Sequence, residues 1–362
     1  MELLNARRRM PRPQKFCIFA LCTLAVFALG NIPVFAEYVF ARGITRWISF
    51  LIGRITNFIA VSFYEWTAVL LIVAGVAYAA GVILLLCKKR FARAGRWLYR
   101  LVMFGLAVLL AFGVLYAPLY NRGDLFPALG LPQVQVTEEN VYAAAEYFVD
   151  MLNQTSAKLE RDGEGNVVVD CSFDELADIL NEEYQSLGSS YFAGFEVRPK
   201  QVVLSVPMSY LGITGIYFPF YAEANVNVNI PACDLPVTMA HEMAHAKGVS
   251  MENEANLTAY VLCIRSGSDY LAYSGLMAAV SNLLNALPDE SYSALRDRLS
   301  PEVLLEYRNV SEHYRQYSGI IDEISSWFND LFLKANGIPS GTRNYGETTR
   351  GLVSLYLSLA QG

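Results

Sequence analysis

A chain of 362 residues is long enough for two structural units. With 54% hydrophobic and only 17% charged residues, and a mean hydropathy of +0.30, it is neither disordered nor an ordinary soluble enzyme. The net charge of −6 is unevenly placed: residues 1–120 hold 14 Lys/Arg against 3 Asp/Glu, and residues 121–362 hold 14 against 31. A basic apolar part followed by an acidic part describes a membrane protein carrying a soluble domain, and gives nucleic acid nothing to bind in the acidic portion. Six cysteines without a close pair exclude a zinc ribbon and a disulfide framework.

Three stretches free of charge, 16–36, 66–87 and 101–120, have about the length a bilayer requires. Arg7, Arg8, Arg9, Arg12 and Lys15 precede the first, and Lys88, Lys89, Arg90, Arg93, Arg96 and Arg100 separate the other two. The positive-inside rule makes both clusters cytoplasmic, so everything after Tyr120 is expected outside. Val34-Phe35-Ala36 has the small-residue pattern of a signal-peptide cleavage site, but the apolar run is long for one. Between the first two spans, residues 43–61 predict an interfacial amphipathic helix: Arg46, Ser49, Gly53 and Asn57 share one face, and Trp47, Leu51, Ile55 and Phe58 lie largely opposite. The expected organisation is a transmembrane region over 1–120, a proline-marked linker over 121–137 and a soluble domain over 138–362.

The soluble part reads as mostly helical α+β with a small sheet. Helices are expected at 138–160, 172–187 (capped by Ser172), 236–247, 251–266, 275–287, 301–335 and 345–360, and strands at 201–206 and 212–230. Residues 222–230 alternate strictly between apolar and polar, as a half-buried strand does. Asparagine is a poor strand former, so Asn225, Asn227 and Asn229 on one face ask for a reason. Either Ala224, Asn225, Val226 and Asn227 form an edge strand that pairs with an extended peptide, or the edge is simply solvated.

Two of the three histidines fall in His241-Glu242-Met243-Ala244-His245. One helical turn apart, the imidazoles face the same way and can take two corners of a tetrahedral zinc, while Glu242 reaches a water as general base. Gly248 suits the position after a helix end and Ser250 an N-cap, so a second helix folds back on the first. Glu252 in its first turn would complete the ligand set, and Asn256, one turn on, could hold a ligand imidazole by its free nitrogen. Glu254 points nearly opposite to Glu252 on the helical wheel. Donors for the transition state are sought among Tyr217, Tyr221, Tyr345, Arg343 and His313, the last in a polar helix and expected solvated.

The strand, the HExxH helix and the following Glu252-x-x-Ala255-Asn256 resemble the core of the gluzincin zinc metallopeptidases. More closely, Gly215-Ile216-Tyr217-Phe218-Pro219-Phe220, Glu223 through Asn227, His241 through His245, Glu252 through Asn256, Tyr273-Ser274-Gly275 and Lys334-Ala335-Asn336-Gly337 are similar to an uncharacterised bacterial membrane family, the domain of unknown function 3810 (DUF3810). The resemblance implies a multi-pass protein of the bacterial cell membrane with a zincin-like extracytoplasmic domain. It implies Zn2+ on His241, His245 and Glu252, Glu242 as the catalytic base, and a peptide or protein substrate. One departure is Asn256, where gluzincins often carry Asp. The rival reading is a non-catalytic, zinc-stabilised membrane scaffold that senses peptides.

Overall fold

The computed structural model describes residues 11–169, 171–319, 322–323, 325–327, 330, 334 and 345–360, and of Tyr345 the backbone alone. It is mostly helical, with one small sheet among the described residues. Two compact units divide the chain: Met1–Thr45 with Trp66–Arg122, and Arg46–Glu65 with Gly123–Gly362. Residues 46–65, expected within the transmembrane region, thus cluster with the C-terminal part.

The first unit contains α1 (Arg12–Gly30), most of α3 (Phe63–Cys87) and α4 (Phe91–Leu115), each long and apolar enough to cross a membrane. Two ends differ from the charge-free stretches. The first helix stops at Gly30 rather than 36, where Pro118 packs so closely that a Cβ on Gly30 would lie 2.9 Å from its ring. A π-helix, Phe35–Ile44, follows. The third starts at Phe91, carrying Arg93, Arg96 and Arg100 in its exposed first turns, and ends at Leu115 because Pro118 has no N–H to continue it. The buried Glu37 carboxylate is held by Arg42 at 2.6 Å and Arg122 at 2.9 Å, which keep it below its usual range although burial opposes the charge.

From Arg46 onward, α2 (Thr45–Thr56) belongs to the second unit. Helices α5 (Glu138–Ser156) and α6 (Phe173–Ser186) each open on a capping box, Thr137 with Asn140 and Ser172 with Glu175, which satisfies the first free N–H groups. The remaining elements are β1 (Lys200–Val202), α7 (Ser205–Tyr210), β2 (Gly215–Phe218), β3 (Glu223–Asn227), α8 (Leu235–Ala246), α9 (Glu252–Arg265), α10 (Asp269–Leu284), α11 (Asp289–Arg296), α12 (Pro301–Arg315) and α13 (Tyr345–Ala360). Helix α10 packs against α5 and α9, and buried Tyr270, Tyr273, Phe148 and Leu152 fill the core.

The sheet corrects the expectation for Ala224, Asn225, Val226 and Asn227. The strand order is β1-β3-β2, with β1 parallel and β2 antiparallel to β3, so these residues form the middle strand and none is at an edge. All five residues of β3 are buried. The asparagines are internal hydrogen-bonding groups. Asn225 donates to the carbonyls of Ile216 and Glu223 and accepts from the Ser62 hydroxyl, while Asn227 donates to Ser209 and to the Ile213 carbonyl. Buried amides with partners cost little, and this explains poor strand formers in the centre of a sheet. The 212–230 run is broken by a turn in which Ala222 adopts φ +51°, and the 201–206 run ends early because α7 begins at Ser205.

Candidate metal centre

Helix α8 is fixed before it reaches the site. The Val237 N–H donates to the Ser274 hydroxyl at 3.1 Å, and the Tyr184 hydroxyl donates to the Ala240 carbonyl at 2.8 Å. Met239, Ala240, Met243 and Ala244 bury the opposite side of the helix completely. The helix ends as Gly248 predicts. With φ +101°, Gly248 donates to the His245 carbonyl, and Val249 donates to Ala244, the paired bonds of a Schellman turn. Ser250 is not the next cap: α9 opens at Glu252 with Met251 in the N-cap position, and the Ser250 hydroxyl is buried without a protein partner.

This turn lays the start of α9 against α8 and gathers His241, His245 and Glu252, whose ligand atoms lie within 4.8 Å of one another. The two imidazole Nε2 atoms are 3.0 Å apart, and Glu252 carboxylate oxygens stand 3.2 Å from His241 Nε2 and 3.7 Å from His245 Nε2. Edges of a tetrahedron with metal–ligand bonds near 2.0–2.1 Å are about 3.3 Å long, close to the spacing of the two Nε2 atoms and of His241 Nε2 from its nearer Glu252 oxygen.

Each ring is oriented by a hydrogen bond on its far side. His245 Nδ1 is 2.7 Å from the Val249 carbonyl, which can only accept, so Nδ1 carries the proton. His241 Nδ1 is held in the same way by the Asn256 amide oxygen at 2.8 Å. In the neutral rings both Nε2 lone pairs then face each other and the Glu252 carboxylate. Three electron-rich atoms at these distances repel. A shared cation relieves that repulsion: either a proton, since the Glu252 carboxylate raises the His245 imidazole to about 9 although burial opposes it, or a metal ion, for which two imidazoles with one carboxylate are a zinc-type set. Glu254 is not part of this group.

Glu242 stands beside the set, with 4% of its surface exposed and one carboxylate oxygen without a protein hydrogen-bond partner. Burial pushes its carboxyl up to about 7, helped by Glu252 and opposed by the two imidazoles. It lies against Gly215 at the start of β2, where an added Cβ would come within 2.5 Å of its Cγ and Oε1.

Residues 40–353 match the family model described as a protein of unknown function, DUF3810. The chain belongs to the DUF3810 family. No curated protein and no solved structure matches it.

The structure of this DUF3810 protein therefore brings together His241, Glu242, His245, Glu252 and Asn256. Tyr217 is committed elsewhere: its hydroxyl bonds Ser49 of α2, and burial pushes it up to about 12. The Tyr345 side chain and Arg343 lie outside the described residues. His313 is half-buried rather than solvated, its Nε2 3.0 Å from the Asn229 carbonyl. Two roles are not legible in the sequence. Gly215 stands in the 215–220 run without any sign of its contact with Glu242, and the Val249 carbonyl acts through its backbone. Lys247, buried behind the site, donates to the Phe195 carbonyl, and burial lowers it to about 8.

Proposed function

We propose that this DUF3810 protein is a membrane-anchored, gluzincin-like zinc metallopeptidase that hydrolyses peptide bonds on the extracytoplasmic side. The observation that carries the reading is the Glu242 carboxylate: buried, lacking a protein partner on one oxygen, and beside a converged His-His-Glu set. A purely structural zinc site has no use for such a group, which favours an enzyme over a zinc-stabilised scaffold.

His241, His245 and Glu252 would hold the zinc. Bound there, zinc supplies Lewis acidity toward a carbonyl and a water. Glu242 takes a proton from the water as its oxygen attacks the scissile carbonyl carbon. It returns that proton to the departing nitrogen as the C–N bond breaks, so the carboxylate is regenerated. Asn256 and the Val249 carbonyl keep the imidazoles in the tautomer that presents Nε2. β2 is an edge strand, and Gly215 at its start lets the Glu242 carboxylate pack against the strand; an extended peptide adding to β2 would bring its backbone toward the base. The three apolar helices and the exposed cations of residues 88–100 support a multi-pass protein with its acidic unit outside.

Metal analysis of the purified full chain should find about one zinc per molecule. Glu242→Gln should retain that zinc and lose at least about 100-fold in turnover, because the ligands stay and the base is gone. Unchanged cleavage by this variant would overturn the assignment.

A further inference from the structure

Helix α2 is oriented against the habit of soluble proteins. Its small residues Thr45, Ser49, Gly53 and Thr56 are buried, whereas Trp47, Leu51 and Ile55, with Phe58 just beyond its end, are exposed. At 100° per residue the outward group falls within an arc of about 80°, and Arg54 lies about 20° beyond its Trp47 edge. Phe58 is 85% exposed. A large aromatic and aliphatic stripe facing out, with small residues facing in, is uncommon on a surface meant for water.

The orientation is fixed by hydrogen bonds that fasten 46–65 to the rest of the second unit. Arg46 donates to the carbonyls of Ser190 and Tyr191, Asn57 donates to Glu196, and the buried Lys200 ammonium donates to Thr56 and Ile59. At the other end Ser62 caps α3, and the Glu223 carboxylate accepts the N–H groups of Phe63 and Tyr64. Glu65 in turn accepts from the backbone of Val203 and Leu204, two further exposed apolar residues, Val203 at 77%. Within five residues of Phe58 the chain enters a 25-residue apolar helix with no buried residue in its most apolar window.

We propose that the second unit docks on a lipid bilayer through this outward face of α2, with the Val203–Leu204 loop beside the start of α3. Lipid is the occupant that matches the surroundings. The stripe is continuous in sequence with a membrane-length helix, Trp47 supplies an interfacial aromatic, and Arg54 can reach the phosphate layer from an apolar bed. Docking sets the height of the metal centre whatever its chemistry. In β2, Tyr217 bonds Ser49 on the buried face of α2, and Gly215, two residues or about 6.7 Å along the strand, touches Glu242.

The test uses the full chain, one copy per nanodisc, in phosphatidylcholine with or without brominated acyl chains. Trp66, Trp97 and Trp327 are replaced by Phe, so that Trp47 is the single emitter. Should the triple variant not fold, the same quantity is read as the difference between wild type and Trp47→Phe. Brominated lipid should quench Trp47 to about half or less, and iodide in the water should quench it several-fold less than free tryptophan. Strong iodide quenching with no effect of brominated lipid would show a face in water and overturn the proposal. Protection from both quenchers would overturn it too, since the face would then be covered by protein.

Discussion

At the scale of single residues, the centre depends on atoms that do no chemistry. The Val249 carbonyl and the Asn256 amide oxygen each occupy one imidazole nitrogen and so decide where the other lone pair points. Gly215 decides whether Glu242 can sit beside the ligands at all. A methyl group there would collide with Cγ and Oε1 of a carboxylate that has almost no free volume around it. Gly215→Ala should therefore lower kcat/KM at least about 10-fold and leave zinc affinity within about 3-fold, because the base moves and the ligands do not. Parallel zinc titration and peptide hydrolysis would check this; a loss of zinc with activity would mean that the ligand set, not the base, had been displaced.

Among the elements, β3 shows how a sheet centre can be polar. Its asparagines bond the Ile216 carbonyl of β2 and the Ile213 carbonyl just before it, and Glu223 at its start ties it to the first turn of α3. Only one Glu223 oxygen receives those N–H groups; the other is buried without a partner. Burial raises the Glu223 carboxyl above its ordinary value, although the Tyr64 N–H, Lys200 and the Phe63 N–H oppose the shift. The sign follows from linkage. A group whose folded pKa is raised contributes its stability below the unfolded value near 4.5, and that contribution is lost as pH climbs through the folded value. Glu223→Gln keeps an acceptor and cannot ionise. Melting temperatures in detergent between pH 4 and pH 8 should fall less with rising pH for this variant than for wild type. Parallel curves would show that Glu223 does not contribute.

On the scale of the whole molecule, the unit that carries the candidate metal centre is discontinuous in sequence. It takes Arg46–Glu65 from between the first two apolar helices and the rest from beyond Gly123. The stretch expected as a linker is packed as well: Leu125, Phe126, Leu129 and Leu131 are buried, and the Leu129 and Pro132 carbonyls accept from Arg265 and Ser354. Sequence alone suggests that a fragment starting near residue 125 should fold and bind zinc by itself. The structure changes that expectation. Such a fragment leaves Lys200, Glu223 and Asn225 buried without the groups they bond in α2 and at the start of α3. Each orphaned buried group costs about 1–3 kcal/mol, a large fraction of the stability of any domain. Residues 125–362 should show no cooperative melting transition and sub-stoichiometric zinc, whereas the full chain shows both; circular dichroism with metal analysis distinguishes the two.

The sequence determined what depends on local periodicity and residue chemistry. Charge-free runs mark the three long apolar helices, capping residues mark α6, and the four-residue spacing of His241 and His245 puts both rings on one face. Gly248 forces the turn that brings Glu252 and Asn256 back to them, because few other residues tolerate its φ. Those features act within a few residues of one another, so their geometry is written in their order. What only the tertiary structure decided are the contacts between distant segments. Alternation in β3 looked like an edge because a side-chain period of two is the same for an edge and for a centre whose asparagines find partners. The placement of Gly215 against Glu242, the diversion of Tyr217 to Ser49 and the fastening of α2 all join positions far apart in the chain. Such pairings are set by how whole elements pack, and no local pattern encodes which buried acceptor a given donor will reach.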